Sequence, residues 1–280
     1  MRVLVAGSSS VLGRHLIAAL KARGHTVRAL TRSEARVHGA GADEVAVGDA
    51  LAPGTLERAM AGVDAVISSV GASVLPAPSK GWRGFHAIDW PANKNLIDAA
   101  VVAGVKKLVY VSVFGAEKTR HLAYCDAHER VVDYARDKGL DASIVRPTAF
   151  HSALTEFVVL ARRGIVPVFG AAFQTNPIAD ADLAAVCVDA LSPGPRGIDA
   201  GGPEVLSRRQ IAEIAIAASG RRAKLLSLPP FLLRVAAMFA FAFPRGAQLF
   251  SFFAHVMSRD LVAPRHGSGS LARSLEEKRS

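Results

Sequence analysis

The segment Gly7-Ser8-Ser9-Ser10-Val11-Leu12-Gly13 has the residue types needed to hold a phosphate. Glycines at both ends let the chain turn tightly and bring a following helix close, so that backbone N–H groups at the helix N-terminus can meet a pyrophosphate. Ser10 stands where a G-x-x-G-x-x-G loop has its middle glycine; it is small enough for backbone approach and brings a hydroxyl donor. The contacts expected here are Gly7, Ser9, Ser10, Val11, Leu12, Gly13 and Arg14, with an ordinary strand-to-helix turn as the competing reading. Downstream, Val27-Arg28-Ala29-Leu30-Thr31-Arg32 ends in an arginine. An Asp or Glu at that place binds the ribose 2′-hydroxyl of NAD, whereas an arginine accommodates the 2′-phosphate of NADP. Residues 1–40 carry seven Lys/Arg against the single acid Glu34, which favours NADP(H) over NAD(H). Arg28 itself is expected on a solvated face.

The elements that must position these residues follow from hydrophobic period. Residues 2–6 are a short apolar run ended by Gly7, as in a buried parallel strand, and Leu12, Leu16, Ala19 and Leu20 then recur at helical spacing up to Gly24. Strand-like and helical stretches keep alternating: strands at 44–47, 65–68, 107–112 and 142–146, helices near 56–61, 91–103 and 126–138. Parallel neighbours need crossover connections, so this rhythm predicts an α/β fold, a doubly wound parallel sheet of the Rossmann type. Residues 1–150 form the dinucleotide-binding domain in this reading. After Pro147 the rhythm breaks into a smaller, mostly helical C-terminal lobe, 151–266, partly intertwined with the sheet. Residues 267–280, rich in Gly, Ser and charge, read as a flexible tail.

The chain of 280 residues is 50% hydrophobic with a mean hydropathy of +0.26, which suits a large core and not a disordered chain. Its 34 Lys/Arg against 24 Asp/Glu give +10, favouring an anionic partner: a phosphorylated cofactor, an acidic membrane surface or nucleic acid. No recognition motif accompanies the charge, so no nucleic-acid partner is expected. Cys125 and Cys187 stand far apart, giving neither a disulfide framework nor a metal site and pointing to a reducing cytoplasm. The N-terminus turns after four apolar residues, unlike a signal peptide. Phe231 to Phe243 is 13 residues long and contains Arg234, against the roughly 20 apolar residues of a spanning helix. Residues 229–257 therefore either pack on the core or in an oligomer interface, or cover an apolar substrate or dock peripherally on a membrane. Residues 207–245, with seven Lys/Arg and one acid, suit an anionic bilayer. A monomer or a homodimer fits equally.

The glycine loop, Arg32, Gly48-Asp49, Ser69-Val70-Gly71, Asn95-Leu96-Ile97-Asp98-Ala99-Ala100, Tyr110-Val111-Ser112 and Arg146-Pro147-Thr148, in this order and spacing, resemble the atypical short-chain dehydrogenase/reductases. That NAD(P)-binding group includes nitrogen-metabolite-repression regulators, isoflavone-reductase-like enzymes and divinyl-chlorophyllide reductases, and the resemblance runs over almost the whole chain. It implies that Asp49 bonds the adenine amino group, that Ser69, Val70 and Gly71 line the adenosine-side ribose and diphosphate, and that Pro147 and Thr148 flank the nicotinamide. It also implies a Ser, a Tyr and a Lys in Tyr-x-x-x-Lys, where the Tyr gives a proton to the substrate and the Lys lowers its pKa.

Here the matching segment is Tyr124-Cys125-Asp126-Ala127-His128, so His128 falls at the lysine position. Histidine can donate to a ribose hydroxyl or act as an acid near pH 7, but has no permanent charge with which to depress a tyrosine pKa. Ser112 resembles the family serine at a shorter gap, twelve positions before Tyr124. The competing reading of Tyr124 and His128 is an exposed helix start without a catalytic role, and Asp126, Glu129 and Asp133 read as solvated helix charges. Phe150 and His151 are expected at the mouth of the site as substrate contacts, with a satisfied loop histidine as the alternative. The resemblance implies an NADPH-dependent reductase acting on a small hydrophobic carbonyl or conjugated alkene. The rival is a non-catalytic dinucleotide-binding sensor, regulator or assembly factor, possibly on a membrane.

Overall fold

Four consecutive residues of strand β1 (Arg2–Ala6), Val3 to Ala6, are wholly buried, as a strand covered on both faces must be. The chain continues through α1 (Val11–Ala22), β2 (Thr26–Thr31), β3 (Glu44–Val47), the single turn α2 (Glu57–Met60), β4 (Ala65–Ser68), α3 (Asp89–Val102), β5 (Lys107–Val111), α4 (Ala123–Asp137) and β6 (Asp141–Pro147). There follow α5 (Thr155–Arg162), β7 (Ile165–Phe169), β8 (Gln174–Thr175), α6 (Asp180–Asp189), β9 (Gly197–Ala200), β10 (Leu206–Ser207), α7 (Arg208–Ser219), β11 (Lys224–Leu228), α8 (Phe231–Phe239), α9 (Pro244–Met257) and α10 (Leu271–Glu277). This computed structural model describes residues 1–72, 74, 84–239 and 244–277. Residues 240–243 of the apolar stretch and 278–280 of the expected tail lie outside the described residues.

Among the described residues one sheet has seven strands in the order β3-β2-β1-β4-β5-β6-β9. The first six pair in parallel, with Val5 opposite both Ala29 and Ile67, and β9 extends the sheet where the Ile144 N–H donates to the Arg196 carbonyl at 2.7 Å. The strand order reverses between β1 and β4, and the crevice at such a switch point is where doubly wound sheets take their ligands. Leu4, Leu30, Leu56, Val66, Leu96, Leu108 and Tyr110 fill the core on one side of the sheet.

The chain divides into two compact units, Met1–Arg146 with Ala184–Ile198, and Pro147–Leu183 with Asp199–Ser280. The first is discontinuous in sequence, because 184–198 returns to it. In the second unit α5 and α7 pack with α10 around Val158, Ile211, Ala215, Leu271 and Leu275. Ser207 caps α7 in a full capping box with Gln210. The buried Asn176 donates to the Gly202 and Ala263 carbonyls and accepts from the Ala263 N–H, tying three chain segments together.

Two expectations need correcting. Residues 267–280 are not a flexible tail over their described part: Leu271 and Leu275, one helical turn apart, are 0% and 1% exposed. Carboxylates hold the approach, Asp182 accepting from the Ser268 and Gly269 N–H groups and Glu204 from the Leu271 N–H at the start of α10. Arg28 is not on a solvated face either; it pairs with Glu44 at 2.6 Å and donates to the carbonyls of Ala59 and Ala61. Leu275→Ala should cost about 2–5 kcal/mol, the range for emptying a buried leucine site. Val102→Ala, at a position 85% exposed, should stay within about 0.5 kcal/mol; urea unfolding of both variants checks the contrast.

Candidate functional site

Ser10 is the N-cap of α1; its hydroxyl accepts from the Gly13 N–H at 2.9 Å and donates to the Gly7 carbonyl at 2.8 Å. The expected hydroxyl donor is thus spent inside the loop. What remains at the first turn are the N–H groups of Val11 and Leu12, which a helix leaves without internal acceptors. The glycines at both ends are required by space. A Cβ on Gly13 would stand 2.3 Å from the Gly7 oxygen, and one on Gly7, at φ +90°, would stand 2.6 Å from Ser69 Oγ. The same close approach is the cradle a pyrophosphate needs, so these residues fit a dinucleotide. Ser8, absent from the expected contacts, is fully buried and donates to the Leu30 carbonyl at 2.7 Å, fastening the loop to β2. Ser9, Arg14 and Arg32 are exposed, and among the described residues neither arginine has an ion-pair partner. Asp49 is half-buried; its Oδ1 accepts from the Leu51 N–H.

The segment after β4 is pinned from two sides. The Ser69 N–H donates to the Ala6 carbonyl at the end of β1. Asn93 of α3 accepts from Ser68 Oγ at 2.6 Å and donates to the Val70 and Asp89 carbonyls, while Asp89 Oδ2 accepts from the Ala72 N–H at 3.1 Å. Gly71 lies against Asp89, since a Cβ there would be 2.9 Å from Oδ1.

Behind this segment is a buried group of titratable residues. Asp89 is 0% exposed, with Oδ1 at 3.5 Å from Nε2 of His128, itself 4% exposed. That separation exceeds a normal N–H···O hydrogen bond, and neither atom has another partner among the described residues. Nδ1 of His128 lies 2.6 Å from the Tyr110 hydroxyl. Tyr110 is the natural donor of that bond, because burial raises its pKa well above the ordinary tyrosine value. A neutral His128 then carries its proton on Nε2, facing Asp89. Burial pushes Asp89 up to about 7 and His128 down to about 3. The Tyr124 ring packs edge-on against His128, with centroids 4.6 Å apart, and against Phe85 at 4.7 Å; burial and the Asp89 charge raise its pKa too.

The structure therefore brings Tyr124 and His128 together but turns His128 inward. Both ring nitrogens face protein, which leaves none for a ribose hydroxyl, and at the start of α4 Tyr124 is half-buried and His128 buried, so this is no exposed helix start. Ser112 is 3% exposed and its Oγ has no partner among the described residues, so it is not bonded to Tyr124. Glu129 is 5% exposed beside Arg146 at 3.3 Å, not a solvated charge; burial raises its pKa despite the arginine.

In the second unit Thr148 donates to the Asn176 carbonyl at 2.7 Å, directly after Pro147, and Phe150 bridges to Ile178. His151 is not at an open mouth: it is 2% exposed, with Nδ1 at 2.8 Å from Ser274 Oγ and Nε2 at 3.2 Å from the Pro177 carbonyl.

Sequence reasoning missed Asp89 and Asn93, and it quoted Ser8 and Tyr110 within motifs without giving either a role of its own. The available signal for Asp89 was an acid between two large apolar residues, Ile88 and Trp90.

A switch-point crevice floored by a glycine loop and a free helix N-terminus defines a Rossmann dinucleotide-binding protein. The chain belongs to the NAD(P)H-binding family, whose profile matches residues 7–193. It is 31% identical to the photosystem II assembly factor Ycf39 of Synechocystis sp. over 55% of this chain and 46% of that one. To the divinyl chlorophyllide a 8-vinyl-reductase of Zea mays it is 28% identical over 81% and 61%. It thus spans about half to three fifths of these two relatives. The NADPH complex of the quinone oxidoreductase QOR2 from Escherichia coli superposes with a TM-score of 0.74 over 99% of both chains at 19% identity, a likeness of fold.

The buried pair makes a stability prediction. Asp89, raised in the folded state, adds stability that is lost as pH climbs from about 4 to 7, whereas His128, depressed, adds stability that grows from about 3 to 6.5. Between pH 4 and 6.5 the two cancel, since the pair carries one proton folded or unfolded. Asp89→Asn should therefore gain stability relative to the parent as pH rises through this window, at a slope near ~1.4 kcal/mol per pH unit. Parallel curves from urea unfolding across pH 4 to 7 would contradict the assignment.

Proposed function

We propose that this protein is an NADP(H)-dependent reductase of the short-chain dehydrogenase/reductase class, passing hydride to a small hydrophobic carbonyl or conjugated alkene. The observation that carries this reading is the α1 N-terminus, with its Val11 and Leu12 N–H groups over the glycine cradle and the unpaired Arg32 at the end of β2, where no carboxylate stands. The Val11 and Leu12 N–H groups would hold the diphosphate, Arg32 and Arg14 a 2′-phosphate, and Asp49 the adenine amino group.

When bound, the nicotinamide supplies a hydride. The chain must add one proton, so that C=O becomes CH–OH or C=C becomes CH–CH. Tyr124, kept as a phenol by burial, is the proposed donor, and Ser112 Oγ is a second hydroxyl for the substrate oxygen. His128 and Asp89 act as positioning residues: His128 fixes the Tyr124 ring, and Asp89 exchanges a proton near pH 7. His151 takes no part, because both of its ring nitrogens are spent within the second unit.

One observation favours a second reading. At the position where the reductases carry a lysine this chain has a buried, neutral histidine, which provides no cation to lower a tyrosine pKa. A dinucleotide-binding sensor or assembly factor without turnover needs no such cation.

Fluorescence titration should show NADPH binding about tenfold tighter than NADH, with Arg32→Ala erasing most of the difference, as expected for loss of a charge-assisted phosphate contact worth about 1.5–3 kcal/mol. Equal affinities would remove the NADP preference. With a panel of hydrophobic quinones and enones, steady NADPH oxidation should fall more than about tenfold in the Tyr124→Phe/His128→Gln double variant, within the usual contribution of a general acid. NADPH binding without any turnover would leave the sensor reading standing.

A further inference from the structure

In the second unit, α8 turns an apolar face outward. Phe231, Val235 and Met238 recur at helical spacing with Leu232 and Phe239 beside them, forming one stripe. Met238 and Phe239 are 73% and 78% exposed, whereas Leu233 on the opposite side is buried. Arg234, on the edge of the stripe, is exposed, as are Arg221, Arg222 and Lys224 just before it. From Ile214 to Arg259 the sequence holds six Lys/Arg and no Asp or Glu. None of these four exposed cations has an ion-pair partner among the described residues. With nine residues, α8 falls far short of the roughly 20 that cross a bilayer. No described helix is long and apolar enough to do so.

We propose that α8 and the cationic segment before it form a peripheral docking surface for an anionic lipid bilayer. An exposed apolar stripe with the unpaired Arg234 at its edge, and with three more unpaired cations in the segment leading into the helix, has the two attractions such a surface needs, burial of the stripe and attraction to acidic headgroups. The charge also decides against a second copy of the chain. A two-fold contact on this face would set Arg234 against its own kind, with no acid between 214 and 259 to offset it. The surface makes no use of the glycine loop or of Asp89, so it stands whether or not the protein turns over a substrate.

The test is co-sedimentation of the full chain with vesicles of phosphatidylcholine, with or without phosphatidylglycerol. Binding should require phosphatidylglycerol and weaken as salt rises. Met238→Asp/Phe239→Asp should lower the affinity at least tenfold, and Arg222→Glu/Lys224→Glu should lower it and flatten the salt dependence. Both pairs are exposed, so unfolding temperatures should match the parent. No binding to phosphatidylglycerol vesicles, equal binding to both vesicle types, or equal binding by both double variants would overturn the proposal. So would a dimer, seen by sedimentation equilibrium, that Met238→Asp/Phe239→Asp dissociates, since the face would then belong to a second copy.

Discussion

The approach of α1 to the end of β1 is the constraint on which the rest depends. Only a residue without a Cβ lets the helix sit on the Gly7 carbonyl, and that contact sets where the first-turn N–H groups point. From there the geometry propagates laterally. Gly7 lies against Ser69, Ser69 is bonded back to Ala6, and Ser8 reaches across to the Leu30 carbonyl near the arginine that ends β2. Phosphate loop, β2 end and β4 end are thus one piece of bonded backbone, and a side chain at position 13 would disturb all three.

The second organising feature is electrostatic. Asp89 and His128 are each costly to bury as ions, and the structure meets this by keeping the histidine neutral and the carboxyl close to half-protonated at physiological pH. The arrangement differs from that of a lysine at the same helical position, which would carry a fixed charge into the site. Here charge appears only when Asp89 loses its proton, and it appears beneath Gly71 and Ala72, against a segment that lines the crevice.

Much of this was legible because the first unit is written in short-range patterns. Residues 3–6, 65–67 and 108–111 are short apolar runs of the kind a buried parallel strand makes, and Ser207 three residues before Gln210 announces α7. What was not legible is set by partners distant in sequence. Arg28 looks like a surface residue until the carbonyls of Ala59 and Ala61 come to it. Asp89 at a helix start reads as a favourable end charge, and only the approach of α4, carrying His128 and Tyr124, shows that it is buried. Leu271 and Leu275 are too few to make a period amid glycine, serine and charge, yet one helical turn suffices once Asp182 and Glu204 hold the approach.

The return of 184–198 to the first unit bears on how this chain could be taken apart. The sheet's outer strand comes from beyond residue 190, so a fragment ending at Arg146 would leave β6 as a bare edge, with groups such as the Ile144 N–H lacking their acceptor. Unpaired strand edges recruit other strands, and such a fragment would tend to aggregate rather than behave as a free-standing nucleotide-binding module. In the intact chain the same edge must wait for a partner that lies some fifty residues further along, which makes closure of the sheet a late, non-local event in folding.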